Sequence, residues 1–197
     1  MIAIIDSGGA NIASVQFALE RLGATSVLTA DPNIIRQADR VLLPGVGAAP
    51  VAMRRLQEAG LVECISTLSQ PVLGICLGMQ LLFSHSEEGD TPLLGVFPAR
   101  CVSFTPSKNL SVPHMGWNRL KIRQTHPLLD GVSEGAHVYF VHSYYVPQTD
   151  QTIAACDYGE HFSAIVGHKN FLGCQFHPER SGAVGARILQ NFLERDL

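Results

Sequence analysis

The segment PVLGICLGMQLLF, residues 71–83, places a cysteine at a sharp corner of the chain. Its first five residues form a short apolar run that begins at a proline, which predicts a buried strand, and its last seven predict a helix. Cys76 stands between the two, with Gly74 and Gly78 two residues away on either side. This spacing is that of a nucleophile elbow, in which glycines permit a tight turn and the nucleophile projects above the sheet.

A cysteine at such a corner is suited to nucleophilic catalysis. The N-terminal end of the following helix favours the thiolate, which is the reactive form of the side chain. The backbone N–H of Leu77 would point at the oxyanion that forms when Cys76 attacks a carbonyl group. The alternative is a buried structural cysteine, which is the usual environment of an isolated thiol.

The segment GCQFHPERSG, residues 173–182, supplies a candidate base. His177 ends a predicted strand, Pro178 keeps it extended, and the side chain of Glu179 faces the same side as the imidazole. The Glu179 carboxylate can therefore hold one ring nitrogen while the other faces Cys76. The alternative is a turn with a surface histidine and a solvated glutamate. A zinc site is disfavoured because no further histidine is placed to complete it, so no metal is expected.

Composition narrows the class of protein. A chain of 197 residues suits one domain with one core, so we predict a single domain over residues 1–197. The net charge of −3 gives no basic face for nucleic acid, and no apolar run spans a bilayer. The start MIAIIDSGG lacks the basic residues of a signal peptide. Five scattered cysteines without a CxxC pair favour neither disulfides nor a thiolate zinc site, and we expect a cytoplasmic protein.

Strand and helix patterns alternate through the first half of the chain. The apolar runs IAIID, SVLT, RVLLPG and PVLGI are separated by helical segments, which favours a parallel sheet covered on both faces. The second half is richer in strands, of which NRLKI, residues 118–122, is one, and a helix from about Ser181 closes the chain. We predict one α/β domain whose later strands form an antiparallel extension. In such sheets the loops at the carboxyl ends of the strands form the site, here DSGGAN, PGVGAAP, GICLGM and FHPERSG.

Two of these loops are glycine-rich. In PGVGAAP, residues 44–50, Gly45 and Gly47 permit a close approach of the backbone to a ligand. The loop is either a tight turn or a second source of oxyanion-binding N–H groups, from around Val46 and Gly47. DSGGAN matches neither the dinucleotide fingerprint nor the P-loop, so we reject nucleotide binding.

Together these motifs resemble the class I, or triad, glutamine amidotransferases. GICLGMQ, PGVG and FHPE occur in the order of that family and extend the resemblance over essentially the whole chain. The resemblance implies a three-layer αβα, flavodoxin-like fold with a mostly parallel central sheet and an antiparallel extension. It implies a glutaminase in which Cys76 forms a thioester with glutamine, His177 transfers protons and Glu179 orients His177. No cofactor is implied.

Further segments resemble the family members that supply ammonia for histidine biosynthesis. They are PHMGWN (113–118), YFVHSYY (139–145), HPERSG and an early D-x-G-x-x-N, in which Ser7 and Ala10 replace the tyrosine and glycine of many relatives. This resemblance implies a heterodimer with a (β/α)8-barrel cyclase, which receives the ammonia through a protected channel. No nucleic-acid or membrane partner is implied.

The same resemblance assigns softer roles to seven residues. Those that contact glutamine would be Gly47, Gln80, Ser143 and Tyr144, and those towards the partner would be Asn11, Trp117 and Tyr139. Trp117 is the only tryptophan and is predicted to lie in a loop flanked by proline and glycine. A place in the domain's own core is the alternative for this side chain.

Three other functions remain open. The chain could be another amidotransferase subunit, such as that of anthranilate synthase, although PHMGWN and HSYY favour the histidine pathway. It could be a stand-alone thiol hydrolase acting on γ-glutamyl compounds, which would need no partner. It could also be a non-enzymatic regulator on a flavodoxin-like fold, although such a binding module has no need of cysteine, histidine and glutamate together.

Overall fold

The computed structural model describes residues 1–6, 12–106 and 110–197. The strands in chain order are β1 Ile2–Ile5, β2 Ser26–Thr29, β3 Arg40–Gly45, β4 Val72–Cys76, β5 His85–Ser86, β6 Thr91–Pro92, β7 Arg100–Ser103, β8 His114–Arg119, β9 Lys121–Ile122, β10 His137–His142, β11 Tyr144–Tyr145, β12 Thr152–Tyr158, β13 Glu160–His168 and β14 Phe171–Cys174. The helices are α1 Ile12–Arg21, α2 Pro32–Gln37, α3 Ala49–Glu58, α4 Leu61–Ser66, α5 Leu77–Leu81 and α6 Gly182–Glu194. None of the helices in the described ranges is long and apolar enough to cross a membrane.

The main sheet of the described residues has the strand order β2-β1-β3-β4-β14-β13-β12-β9. Its first five strands are parallel, with β14 beside β4. The remaining three add an antiparallel extension at the β14 edge. The parallel part has the doubly wound order of flavodoxin-like folds. The predicted fold class, a mostly parallel sheet with an antiparallel extension, is therefore confirmed.

Helices cover both faces of this sheet because successive strand residues point to opposite sides. Ile2 and Ile4 of β1 pack in a core cluster that includes the buried residues of α1 and α6. Ala3 and Ile5 belong to a second cluster with the buried residues of α2, α3, α4 and α5. The two clusters on either side of one sheet make the three layers that the resemblance implies.

The later strands divide among three sheets, whereas the sequence predicted a single extension. Only β9, β12 and β13 extend the main sheet, while β8 and β10 form a separate ribbon and β11, β7, β5 and β6 form a small sheet. NRLKI, predicted as one strand, is interrupted at Leu120, whose N–H donates to the carbonyl of Ala136. The residues before Leu120 pair with β10, and those after it pair with β12.

Closely packed glycines form the corner between β4 and α5. A Cβ atom on Gly78 would lie 1.7 Å from the carbonyl oxygen of Leu43, and one on Gly45 would lie 2.6 Å from the backbone nitrogen of Gly78. A Cβ atom on Gly74 would lie 2.6 Å from the carbonyl oxygen of Gly78. The first turn of α5 can therefore press against β3 and β4 only because these positions lack side chains.

We expect Gly78→Ala to be among the most destabilising single substitutions in this chain. The added methyl group overlaps the Leu43 carbonyl, which is backbone in a central strand and cannot move aside. Overpacking of this kind costs upwards of about 3 kcal/mol of unfolding free energy or prevents folding. Gly23→Ala is the control, because a Cβ there meets nothing within 4 Å and costs only the strain of a φ of +75°. Urea unfolding of both variants checks the prediction, and equal losses would contradict it.

Candidate active site

Cys76 lies at the bottom of a cleft, where β4 passes into α5. Its φ of 54° and ψ of −112° lie in a region that residues with a side chain seldom adopt, at a cost of about 1–3 kcal/mol. Strain of this kind is typical of a nucleophile elbow. The sulfur lies 3.7 Å from the carbonyl oxygen of Val141 and 3.9 Å from Nε2 of Gln175, whose N–H groups donate.

His177 and Glu179 follow β14 and reach the same point. Nδ1 of His177 lies 2.8 Å from Oε1 of Glu179, and both side chains are almost fully buried. The imidazole lines the same cleft as Cys76. Burial lowers the pKa of His177, but the interactions of the ring with the side chains of Cys76 and Glu179 outweigh it and raise this pKa to about 10. The imidazole therefore holds its proton at neutral pH and can deliver it to a leaving group.

The cleft above Cys76 has a volume of about 430 Å³. Its walls come from the loop after β3, the elbow, the β10–β11 connection and the turn after β14. The lining residues are Gly45, Val46, Gly47, Cys76, Leu77, Gln80, Glu88, Pro113, Val141, His142, Ser143, Tyr144, His177 and Arg180. The structure thus brings together the predicted nucleophile, base, oxyanion and glutamine-contact residues, with Glu179 directly behind His177.

The glycine-rich loop after β3 starts beside the nucleophile. Gly45 is the register partner of Cys76, so Val46 and Gly47 leave the sheet next to the sulfur. Gly47 has a φ of +90°, which a residue with a side chain rarely adopts. The Val46 side chain is 37% exposed and projects from the loop. The loop is thus placed where oxyanion-binding N–H groups would be needed.

Gln80 is buried on the first turns of α5, and both hydrogens of its amide are already used. Nε2 donates to the carbonyl oxygen of Tyr144 at 2.8 Å and to Oε1 of Gln175 at 2.9 Å. A direct contact of Gln80 with a ligand is therefore limited to its carbonyl oxygen, which accepts. The main effect of this side chain is to fix the Ser143–Tyr144 segment against the elbow.

A pair of buried histidines supports the same segment from the other side. Nδ1 of His142 donates to the carbonyl oxygen of Tyr144 at 2.8 Å, so its Nε2 is left as an acceptor. Nδ1 of His114 donates to that Nε2 at 3.0 Å, and Nε2 of His114 accepts from the Asn118 amide at 3.3 Å. All the protons in this chain of hydrogen bonds point towards Tyr144, which requires both rings to be neutral.

The electrostatics agree with neutral rings. Burial lowers the pKa of His114 to about 4. Burial is also the main cause that lowers the pKa of His142 to about 3, although its hydrogen bond to Tyr144 opposes the change. Both values lie below the usual 6.5, so the unfolded chain binds more protons than the native state at mildly acidic pH.

This difference makes stability depend on pH. The stability that His114 and His142 contribute is fully present above about pH 6.5. It is lost as the pH decreases towards their native pKa values of about 4 and about 3, by at most roughly 2 kcal/mol per histidine at pH 5. His114→Gln removes one titrating ring, so its urea midpoint should fall less between pH 7 and pH 5 than that of the wild type. Parallel pH profiles for the two proteins would contradict the prediction.

The β8–β10 ribbon carries an aromatic patch on its outer side, beside the cleft. Trp117 is paired with Tyr139, their rings lie 6.0 Å apart, and the guanidinium of Arg180 sits 4.8 Å from the Tyr139 ring. Trp117 is 56% exposed and Met115 is 62% exposed, so the tryptophan is outside the domain's own core.

Trp117 and Asn11 were both expected to contact the partner. The sequence placed Trp117 in a loop, and this prediction is wrong, because Pro113 precedes β8 and Gly116 keeps its pairing with Phe140 at a φ of +134°. Asn11 lies outside the described residues.

Several cleft residues were missed by sequence reasoning. Glu88 brings a carboxylate, and its Oε2 accepts a hydrogen bond at 2.7 Å from the N–H of Ala49 at the start of α3. Arg180 could have been suspected because it adjoins Glu179. Nothing in the local sequence marks Glu88, whereas the PHMGWN and HSYY motifs contained His114 and His142 without revealing that the two rings meet.

Comparison with known proteins identifies the family of this chain. Residues 3–195 match the profile of the family Glutamine amidotransferase class-I, and the chain belongs to this family. The particular relatives are named imidazole glycerol phosphate synthase subunit HisH. That of Xylella fastidiosa (strain Temecula1) is 56% identical over 195 residues, covering 99% of this chain and 98% of the relative. That of Xanthomonas axonopodis pv. citri is 54% identical over 193 residues, covering 98% and 96%.

Solved structures agree at the level of the fold. A glutamine amidotransferase from Thermotoga maritima matches with a TM-score of 0.68 and 16% identity, covering 98% of this chain and 96% of that chain. Another glutamine amidotransferase matches with a TM-score of 0.75 and 18% identity, covering 98% and 97%. At these identities the likeness bears on the fold alone.

Proposed function

We propose that this chain is the glutaminase subunit of imidazole glycerol phosphate synthase. It hydrolyses glutamine to glutamate and ammonia and delivers the ammonia to a cyclase subunit. The observation that carries the proposal is a strained elbow cysteine that shares one cleft with His177, whose ring is held by the buried Glu179. The HisH relatives in the two organisms above support the particular pathway.

The first half of the reaction is the attack of Cys76 on the side-chain amide of glutamine. With the thiol proton held on His177, the sulfur forms a bond to the amide carbon, and the carbonyl oxygen becomes an oxyanion. His177 gives its proton to the amide nitrogen, the carbon–nitrogen bond breaks, and ammonia leaves. A γ-glutamyl thioester remains on Cys76. A histidine protonated at neutral pH suits this step, since the amide nitrogen leaves only after it is protonated.

The second half releases glutamate. The imidazole, now neutral, takes a proton from a water molecule, and the oxygen of that water attacks the thioester carbon. The carbon–sulfur bond breaks and glutamate leaves. The sulfur is again a thiolate, and its negative charge is balanced by the proton on His177. Glu179 fixes the ring and stabilises its positive charge in both halves.

Backbone groups around the cleft stabilise the oxyanion and hold the substrate. We assign the oxyanion to the N–H of Leu77 and to N–H groups around Val46 and Gly47, which leave the sheet beside the sulfur. The backbone of Gly47, Ser143 and Tyr144 holds the amino-acid end of glutamine. Its ammonium group is matched by the Gln80 carbonyl and the Glu88 carboxylate, both of which line the cleft.

The partner is a (β/α)8-barrel cyclase in a heterodimer. Ammonia released into water would be protonated and lose its nucleophilicity, so it must pass directly to the second active site. The patch formed by Met115, Trp117, Tyr139 and Arg180 supports a docking face next to the cleft, because exposed aromatic and methionine side chains are typical of interface centres. In the cyclase, ammonia reacts with the ribulosyl intermediate to give imidazole glycerol phosphate and aminoimidazole carboxamide ribotide. We place the pair in the cytoplasm, where thiols are kept reduced, because the five cysteines are buried and form no disulfide.

Glutamate release from glutamine tests the proposal. It is measured with the purified chain alone, with the cyclase subunit, and with the cyclase and its nucleotide substrate. We expect low activity for the chain alone and a steep rise in the loaded complex. Full activity that is the same with and without the cyclase would overturn the assigned partnership and favour an independent γ-glutamyl hydrolase. No turnover under any condition would overturn the glutaminase itself.

A further inference from the structure

Ser181 is a buried serine that follows the triad turn and directly precedes α6. It is 1% exposed and stands at the N-cap position, where serine ordinarily accepts a hydrogen bond from the first turn of the helix. Its side chain makes no such bond here. The hydroxyl instead donates to the carbonyl oxygen of His177 at 2.7 Å and accepts from the N–H of Tyr139 at 2.9 Å. The capping interaction is given up for contacts with the segment that carries the base.

These contacts close a small ring between the base and β10. The backbone N–H of His177 donates to the carbonyl oxygen of Tyr139 at 2.9 Å, so the two residues are joined both directly and through the Ser181 hydroxyl. Beyond these bonds the triad segment leaves β14 and enters a turn at Pro178–Arg180, where no sheet pairing fixes it. Within the turn, the N–H of Arg180 also donates to the carbonyl oxygen of His177 at 3.0 Å, so this bond and the ring together hold the His177 backbone.

The space around Ser181 makes the arrangement rigid. A Cβ atom on Gly185 would lie 2.0 Å from the carbonyl oxygen of Pro178 and 2.8 Å from Cβ of Ser181. The first turn of α6 is thus pressed against the triad turn. A hydroxyl held between two backbone groups in such a confined place can define the position of a neighbouring side chain within a fraction of an ångström.

We infer that Ser181 is a positioning residue for the base: its hydroxyl, shared between the Tyr139 N–H and the His177 carbonyl, fixes His177 between Cys76 and Glu179. This inference rests on the proposed function. It adds a residue outside the triad to the catalytic apparatus and ties the base to the strand that also carries the aromatic patch. A displacement of about 1 Å at a catalytic group can cost up to a hundredfold in rate, so a single buried hydroxyl is sufficient for a measurable effect.

Steady-state kinetics of the complex with its cyclase test the inference. In Ser181→Ala, kcat for glutamate release should fall about tenfold while KM for glutamine stays near the wild-type value, because the hydroxyl holds the base and not the substrate. Ser181→Thr restores a hydroxyl but adds a methyl group in this confined place, so it should recover only part of the loss. Ser163→Ala is the matched control. Ser163 is fully buried on β13, and its hydroxyl bonds the Pro147 carbonyl and Thr152, away from the cleft.

Alkylation of Cys76 by iodoacetamide gives a second readout that needs neither glutamine nor the partner. The His177 imidazole takes up the proton that the thiol loses on alkylation, so a misplaced imidazole slows the reaction. We expect Ser181→Ala to react about tenfold more slowly near neutral pH and Ser163→Ala to react like the wild type. Cys76→Ala gives the background from the other four cysteines, which are buried.

These outcomes distinguish the inference about Ser181 from the proposed glutaminase function. A complex that turns over no glutamine would remove the proposed function, while the alkylation series would still report on Ser181. Wild-type kcat and a wild-type alkylation profile in Ser181→Ala would overturn the inference, even if that variant melted earlier, since a purely structural serine affects stability alone.

Discussion

Replacing Cys76 with alanine is expected to abolish glutamine hydrolysis, with a loss of at least about 10⁴-fold in kcat. No thioester can form without the sulfur, and a cleft that only binds glutamine and its oxyanion retains little catalysis. The alanine side chain is smaller than the cysteine it replaces, so the elbow is not crowded further. Glutamate release in the complex with the cyclase measures the effect.

The same variant should keep its partner and its fold. Synthesis of imidazole glycerol phosphate from added ammonia should continue in the Cys76→Ala complex, because that reaction bypasses the glutaminase. Cys64→Ala is the matched control: Cys64 is also buried, on α4, its sulfur lies 3.9 Å from the Pro32 carbonyl oxygen, and we expect full glutaminase activity. Glutamine turnover that persists without Cys76 would show that the nucleophile is another group.

His177→Gln should lose about 10³-fold or more in kcat, and Glu179→Gln should lose less. The imidazole transfers the proton in both halves of the reaction, whereas the carboxylate acts only through the imidazole. Glutamine at position 179 can still hold the ring, but it supplies no negative charge. The pKa of His177 should then fall below its native value of about 10, which weakens the positive charge held on the ring.

Rates of glutamate release by the two variant complexes check this ranking. His168→Gln and Glu194→Gln, at exposed positions outside the cleft, are the controls and should behave like the wild type. Equal losses for His177→Gln and Glu179→Gln, or a larger loss for the latter, would refute the ranking.

The parallel half of the fold and the triad could be predicted because their signals are local. Gly74, Cys76 and Gly78 define a strand–turn–helix corner, and Pro178 holds His177 in an extended conformation before Glu179. The rule that sites form at the carboxyl ends of parallel strands then brings the loops together without any knowledge of long-range pairing. For this reason the sequence predicts that the elbow and the turn after β14 lie close together.

The antiparallel half could not be predicted in the same way. His114 and His142 are 28 residues apart in the chain. Their pairing depends on the register between β8 and β10, and no local pattern encodes that register. Trp117 was assigned to a loop because proline and glycine flank it, yet Pro113 only precedes β8 and Gly116 is paired within it. The break at Leu120 depends on a hydrogen bond to Ala136, which is likewise a tertiary contact.

The β8–β10 ribbon also has an evolutionary consequence. Along each strand, one residue faces the interior, with His114 and His142, and the next faces outward, with Trp117 and Tyr139. The inward-facing residues are constrained only by packing within this chain. The outward set, if it meets the cyclase, can change only when the cyclase gene changes with it. Adjacent codons in one short stretch of the gene would thus be subject to two separate kinds of selection.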